Sequence, residues 1–169
     1  MTIRVRPSGR VRCEATIPLT MSSARVWGQL RDFHRYASHD HFHAGISIEG
    51  GVPRRGAALQ IDHRYGPFRV RRVGTILRWQ EGRQFAFSDL SRRGPRHGFP
   101  HVMQLRLQAD APDRCTLLIR VTGHWTAPVP RWIARCWLWW VMTTITQRVR
   151  NDLLRFQISL DRKIPTGRT

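Results

Sequence analysis

The sequence of 169 residues is poor in acidic residues, lysine and cysteine. It has 11 Asp and Glu against 29 Lys and Arg, and Lys163 is the single lysine, so the formal net charge is +18. The three cysteines, Cys13, Cys115 and Cys136, are far apart and lack the paired spacing that zinc and redox motifs use. We therefore expect ordinary buried thiols.

Long apolar runs are also missing. Residues 1–12 contain four arginines and no apolar centre, unlike a secretory signal. No run reaches the roughly 20 apolar residues that a bilayer-spanning helix needs. We expect a soluble, cytoplasmic protein, with a peripheral membrane position as an alternative. The length predicts one domain over residues 1–169 with its core at about 10–162.

Signatures of cofactor enzymes and of nucleic-acid binding are absent from the sequence. There is no nucleophile elbow, phosphate-binding glycine loop, dinucleotide fingerprint or His-Glu-x-x-His motif, so we expect no cofactor. The arginines are scattered and accompany no zinc-finger, helix-turn-helix or RNA-binding motif. We expect no nucleic-acid partner, whereas an anionic membrane surface remains an alternative partner.

The sequence does contain many short alternating segments followed by one long helical segment. Ser22 and Ser23 can cap a short helix, or two broken ones, after the first strand. Beyond Pro130 no Gly or Pro occurs before Ile164, and an apolar stripe from Leu138 to Leu160 predicts a long helix. The alternating segments predict mostly antiparallel strands at residues 10–19, 46–49, 57–65, 69–79, 84–90, 100–109 and 115–125.

Several motifs resemble the START-like superfamily, also called SRPBCC, which includes polyketide cyclases and aromatases. The order of elements agrees with that family over nearly the whole chain. The sequence departs from it at His39-Asp40-His41-Phe42 and in a tryptophan cluster at the start of the long helix. The similar motifs are Asp32-Phe33-His34-Arg35-Tyr36, Val73-Gly74-Thr75-Ile76, Trp79-x-Glu81-Gly82, Phe85-Ala86-Phe87-Ser88-Asp89, Gly94-Pro95 and His101.

The resemblance implies an α+β helix-grip fold. In this fold a curved antiparallel sheet of about seven strands wraps a long C-terminal helix, and two short helices follow the first strand. Members of the family hold lipids, sterols, quinones, polyketides or other apolar molecules between the sheet and the helix. Catalysis is optional among them.

The alternation of the strands predicts which polar side chains face such a cavity. If Leu59 and Ile61 face it, then His63 and Tyr65 face it too, because residues two apart share a face. The same argument places Asp89 with Phe85 and Phe87, and His101 with Met103 and Leu105. His63, Tyr65, Asp89 and His101 are thus candidates for ligand contact or for acid–base catalysis, and the alternative is a purely structural, hydrogen-bonded role. Further expected ligand contacts are Phe42, Trp137, Trp140, Met142 and Ile145.

Two other groups of side chains allow two interpretations each. Trp132, Trp137, Trp139 and Trp140 cannot share one helical stripe, so at least one is exposed. They either complete the core or, with Arg131 and Arg135, contact a lipid surface. His39, His41 and His43 have the alternate spacing of metal ligands, but no matching Cys pair or carboxylate completes a site. We favour surface or pocket-mouth histidines and expect no metal.

Three functions follow as hypotheses. The first is a carrier or sensor that binds one hydrophobic small molecule, such as a lipid, sterol, quinone or polyketide-like compound. The second is an enzyme of the cyclase, aromatase or dehydratase type. The third is a lipid shuttle at the membrane surface.

Overall fold

The computed structural model describes residues 1–5, 9–33, 43–65, 68–89, 101–124 and 130–161. Within these residues the fold is α+β, with one antiparallel sheet and a long C-terminal helix. The strands are β1 (Thr2–Val5), β2 (Arg10–Leu19), β3 (His43–Ile48), β4 (Ala58–Tyr65), β5 (Phe68–Gln80), β6 (Gln84–Ser88), β7 (His101–Ala111) and β8 (Arg114–His124), and the helices are α1 (Ser23–Leu30) and α2 (Arg131–Asp161).

The eight strands follow the order β1-β2-β8-β7-β6-β5-β4-β3, so β1 and β3 form the edges. The sequence predicts about seven strands, with Arg10–Leu19 as the first, and the structure corrects this count by adding β1. The segment Thr2–Val5 contains three β-branched residues, which favour a strand, and it pairs antiparallel with β2. Ile3 packs against the core and gives this short edge strand its apolar contact.

One face of the sheet, called here the inner face, carries the core. Alternate residues of each strand are buried on it, as a period of two requires. In β7 and β8, for example, Leu105 lies opposite Ile119 and Leu107 lies opposite Leu117, and all four side chains are buried. Apolar pairs of this kind stabilise neighbouring strands and fix their register.

Helix α1 begins after Ser22, whose Oγ accepts a hydrogen bond from the backbone N–H of Arg25 at 3.5 Å. It buries Val26, Trp27 and Leu30 against the core. The indole N–H of Trp27 donates to Glu81 at 2.7 Å, which ties the helix to the turn after β5. The second short helix expected here falls largely on residues 34–42, outside the described residues.

Helix α2 is 31 residues long and confirms the predicted long terminal helix. Its buried residues recur every three or four positions, which is the spacing of one helical face. They include Leu138, Met142, Ile145, Val149 and Leu153 of the predicted stripe. In the part of the chain that the structure describes, no helix is long and apolar enough to cross a membrane.

Candidate functional site

The inner face is apolar over most of its area and becomes polar at one end of the strands. On β4, Leu59 and Ile61 are buried, and the next inward side chain is that of His63, which is buried too. Tyr65 ends the strand, and its side chain lies outside the described part of the structure. The alternation therefore carries a histidine into the interior directly after two aliphatic residues.

The neighbouring strands β6 and β7 make the same change from apolar to polar residues. Phe87 of β6 lies opposite Met103 of β7, and both are buried. Asp89 lies two residues after Phe87, directly after β6, and His101 lies two residues before Met103, at the start of β7. The backbone N–H of Asp89 donates to the carbonyl of His101 at 3.2 Å, so the pairing of the two strands continues to these residues.

Asp89 is the centre of a buried polar group that we call the Asp89 cluster. The guanidinium of Arg72 donates from Nη1 to Asp89 Oδ2 at 2.7 Å, and the backbone N–H of His101 donates to Oδ1 at 2.7 Å. Two imidazole nitrogens lie near Oδ2, His101 Nδ1 at 3.4 Å and His63 Nε2 at 3.6 Å. The cluster comprises His43, His63, Arg72, Asp89 and His101.

The three imidazoles of the cluster lie side by side. The ring centroid of His43 is 4.8 Å from that of His63 and 6.2 Å from that of His101. Strand pairing accounts for the first contact, because His43 of β3 lies opposite His63 of β4. Strands β3, β4 and β7 thus supply three imidazoles to one place.

Arg72 and Asp89 form a buried ion pair. The side chain of Asp89 is fully buried, and that of Arg72 is 6% exposed. Burying either charge alone would be costly, whereas the pair and its hydrogen bonds offset that cost. The Arg72 charge balances the Asp89 charge, so the histidines need no proton to neutralise the carboxylate.

Burial lowers the pKa of His63 to about 3, and the neighbouring His43 adds to the effect. The Asp89 carboxylate opposes this shift but does not outweigh burial. His63 is therefore neutral at physiological pH, with one ring nitrogen that can donate and one that can accept. A neutral imidazole of this kind can hydrogen-bond a carbonyl or a hydroxyl.

Gly74 allows β5 and β6 to approach closely beside the cluster. A Cβ atom on this residue would lie 2.1 Å from the carbonyl oxygen of Ser88, the residue before Asp89. No side chain fits at such a distance, so glycine sets the position of the backbone that carries Asp89. Gly74 belongs to one of the motifs on which the family resemblance rests.

No protein-family model matches the sequence, and no curated protein is significantly similar to it. Solved structures do match. A START superfamily protein from Mycobacterium smegmatis is 13% identical with a TM-score of 0.66, over 86% of this chain and 98% of that protein. The Zhui aromatase/cyclase from Streptomyces sp. R1128 is 15% identical with a TM-score of 0.66, over 86% of this chain and 94% of that one. The chain has a START-like, helix-grip fold.

A third similar structure is the di-domain aromatase/cyclase StfQ from the steffimycin biosynthetic pathway. It is 12% identical with a TM-score of 0.66, and the match covers 88% of this chain and 51% of StfQ. The fold that the motifs predict is thereby confirmed. On the sheet of this START-like fold, three of the four polar residues nominated from the sequence, His63, Asp89 and His101, come together in the Asp89 cluster.

Two members of the cluster, Arg72 and His43, were not predicted as site residues. Arg72 could have been found by counting back along β5 in steps of two from the inward residues Ile76 and Gly74. His43 was expected at the surface or at a pocket mouth, and burial corrects the surface position, since its side chain is 5% exposed. The inward position of His43 follows from its strand pairing with His63, and the sequence alone does not reveal that pairing.

The other expected ligand contacts occupy different environments. Phe42 lies outside the described residues, and Trp140 is 52% exposed on α2. Trp137 is partly buried and packs against the core. Met142 and Ile145 are buried and belong to the core. Their contact with a ligand stays a prediction, as it does for the buried residues Leu59, Ile61, Phe85, Phe87, Met103 and Leu105.

Metal ligation and cysteine placement complete the comparison with the sequence predictions. Among the described residues, no three His, Cys, Asp or Glu side chains are arranged to hold a metal ion, and His39 and His41 lie outside them. Cys13 and Cys115 are buried, as expected, and burial raises the pKa of the Cys13 thiol to about 12. Cys136 is exposed, which corrects the prediction of three buried thiols. It occupies the outward side of α2, one turn after Trp132.

Proposed function

We propose that the protein is a carrier or sensor for one apolar small molecule that bears a polar group, bound between the inner face of the sheet and α2. A ligand site of this type has mostly apolar walls and a few convergent polar side chains that orient the ligand. The observation that supports this function is the convergence of five polar side chains in the Asp89 cluster at one end of an apolar face. Lipids, sterols, quinones and polyketide-like compounds all combine these two chemistries.

Within the cluster, His101 is the residue assigned to contact the ligand. Its side chain is 12% exposed, whereas those of His63 and Arg72 are 2% and 6% exposed. Asp89 holds His101 through both the backbone N–H and a carboxylate oxygen close to Nδ1. An imidazole fixed in this way offers its other ring nitrogen to a ligand carbonyl, phenol or hydroxyl.

Two probes that differ in one hydroxyl group test the role of His101. Naphthol and naphthalene offer nearly the same apolar surface, and a hydrogen bond adds roughly 1 kcal/mol, or about fivefold in affinity. We expect calorimetric titration to give that preference for naphthol in the natural protein. His101→Phe should remove the preference while keeping the affinity for naphthalene.

His124→Phe is the matched control, since His124 is exposed at the end of β8. This variant should keep the full preference for naphthol. The proposal would be overturned if neither probe bound, or if His101→Phe kept the preference.

A second candidate function is general acid–base catalysis on a polyketide-like substrate. It is favoured by the position of His101 Nδ1, 3.4 Å from Asp89 Oδ2, because a carboxylate beside one imidazole nitrogen orients the other as a base. Two of the similar structures, Zhui and StfQ, are aromatase/cyclases. His63, neutral and buried beside His101, can hydrogen-bond the substrate but is too weak a base to take its proton.

Turnover of a synthetic poly-β-keto thioester distinguishes this function from binding alone. If His101 is the catalytic base, His101→Phe should lower the rate on the order of a hundredfold. The control His124→Phe should keep the rate of the natural protein. Product formation can be followed by the absorbance of the aromatic ring. Equal rates with His101→Phe and the natural protein, or with and without protein, would exclude this catalytic role.

A further inference from the structure

The first ten residues of α2 expose an unusual amount of apolar surface. Trp132, Trp139 and Trp140 are 68%, 57% and 52% exposed, and Ile133 is 38% exposed. At about 100° per residue the three tryptophans lie within an arc of roughly 100°. Buried residues of α2 lie on the opposite side of the helix. We call the outward surface formed by Trp132, Cys136, Trp139 and Trp140 the tryptophan face.

The tryptophan face is a local feature of α2. Among the described side chains in the second half of the helix, those that are exposed are polar, apart from Ile158. They include Gln147, Arg150, Asn151 and Arg155. A helix whose two sides are both apolar normally buries both, and here only the side toward the sheet is covered. The start of α2 therefore has the composition of a surface that a membrane or another molecule covers.

The positive charge around the tryptophan face indicates which kind of partner surface would bind it. Arg135 is exposed beside the tryptophans, and no Asp or Glu occurs from residue 131 to residue 151. The whole chain has a net charge of +18. Indole rings prefer the boundary between lipid headgroups and acyl chains, and arginine side chains are attracted to anionic headgroups. An anionic bilayer satisfies both preferences together.

A second copy of the chain fits this face less well. Three half-exposed indoles offer roughly 400 Å² of contact, about half of what one partner of a stable protein–protein interface buries. Two copies joined through this face would also bring two strongly positive chains together, with Arg135 of each near the contact. A bilayer needs no such area and carries the opposite charge.

We propose that the tryptophan face docks the protein onto anionic lipid bilayers, with Trp132, Trp139 and Trp140 at the headgroup boundary. The docking goes beyond the proposed ligand binding, because it needs neither a ligand nor the Asp89 cluster. Helix α2 lies along the surface and its other side keeps its packing on the sheet. The start of α2 would then be the part of the fold nearest to any membrane-dissolved ligand.

Sedimentation with sucrose-loaded vesicles tests this proposal. We expect the natural protein to bind vesicles with about one-third phosphatidylserine at least tenfold more tightly than pure phosphatidylcholine vesicles. Raising the salt from about 0.05 M to about 0.5 M should weaken the binding, because salt screens the attraction. The variant Trp132→Ser/Trp139→Ser/Trp140→Ser should lose at least tenfold in affinity for the anionic vesicles.

The matched control replaces three exposed apolar residues away from α2, Val52→Ser/Val73→Ser/Leu77→Ser. It should bind as the natural protein does, and far-ultraviolet circular dichroism should show both variants folded. Equal binding by the tryptophan variant and the natural protein would overturn the proposal, since adsorption would then come from net charge alone. Absence of binding would also overturn it, as would a dimer that the tryptophan substitutions dissociate.

Cys136 provides a second, independent measurement within the tryptophan face. It is exposed, whereas Cys13 and Cys115 are buried, so a thiol-reactive, environment-sensitive fluorophore attaches to it selectively in the folded protein. Its emission should shift to the blue on addition of anionic vesicles. An unchanged spectrum on vesicles that carry the protein would show that another surface makes the contact, and would contradict the assignment.

Discussion

At the scale of single residues, the Arg72–Asp89 pair is the feature on which the candidate site depends. Strand β5 also carries an exposed pair on its other face, in which Arg71 Nε lies 2.8 Å from Asp62 Oδ1 of β4. Arg71 and Arg72 are neighbours in sequence and face opposite sides of β5. They offer a direct comparison of a buried ion pair with an exposed one.

Arg72→Met should destabilise the fold strongly. It leaves the buried Asp89 carboxylate without its cation, and breaking a buried pair in this way costs about 3–5 kcal/mol. Urea denaturation at neutral pH measures the loss in the free energy of unfolding. Arg71→Met is the control and should leave that free energy nearly unchanged, because water already solvates this pair. Similar losses in the two variants would contradict the assignment of the buried pair.

His63 should make stability depend on acidity. Its pKa is lowered to about 3 in the folded protein from 6.5, so between these values the unfolded chain binds more protons. Stability is therefore fully present above pH 6.5 and falls with decreasing pH, by at most about 1.4 kcal/mol per pH unit. His63→Gln lacks this contribution. Between pH 6.5 and 4.5 the free energy of unfolding of the natural protein should therefore drop by about 2 kcal/mol more than that of the variant. Parallel pH profiles would refute a neutral, buried His63.

The sequence predicted His63, Asp89 and His101 because each continues an apolar alternation by one step. It did not predict Arg72, for a reason found in β5. Trp79 and Ile76 both lie opposite inward phenylalanines of β6, because the register shifts between Ile76 and Arg78. Counting inward in steps of two from Trp79 therefore selects Arg71, whereas the irregularity turns Arg72 inward.

At the scale of secondary structure elements, the approach of β5 to β6 positions Asp89. Gly74→Ala would place a methyl group against the Ser88 carbonyl, and we expect a destabilisation of about 2 kcal/mol with displacement of Asp89. Thermal unfolding and imidazole nuclear magnetic resonance signals report these two effects. Gly28→Ala on α1 is the control, because its methyl group meets no atom within 4 Å. It should stabilise the fold by roughly 0.5–1 kcal/mol, and an equal loss in both variants would contradict the steric argument.

Most elements were predictable, because strand alternation and the long apolar stripe of α2 leave few alternatives. The strand β1 was missed, since four residues at an edge are too short for a periodic signal. The two apolar sides of α2 were only partly anticipated. Periodicity showed that the four tryptophans could not share one stripe, but it could not show which of them the sheet would cover.

At the scale of the whole molecule, a START-like fold with a net charge of +18 has two apolar surfaces, one buried and one exposed. The inner face of the sheet is apolar and contains the buried Asp89 cluster. The tryptophan face lies on the outward side of the same helix that covers the core. Ligand binding and membrane docking are separate proposals, and each can fail without the other.

Native mass spectrometry tests the central proposal, ligand binding, most directly. The purified protein is measured as isolated and again after incubation with an organic extract of its host cells, and any adduct is identified after solvent extraction. We predict a one-to-one adduct whose mass belongs to an apolar molecule with a polar group, and a weaker adduct in His101→Phe than in His124→Phe. A mass equal to the bare chain in both samples would contradict the proposal.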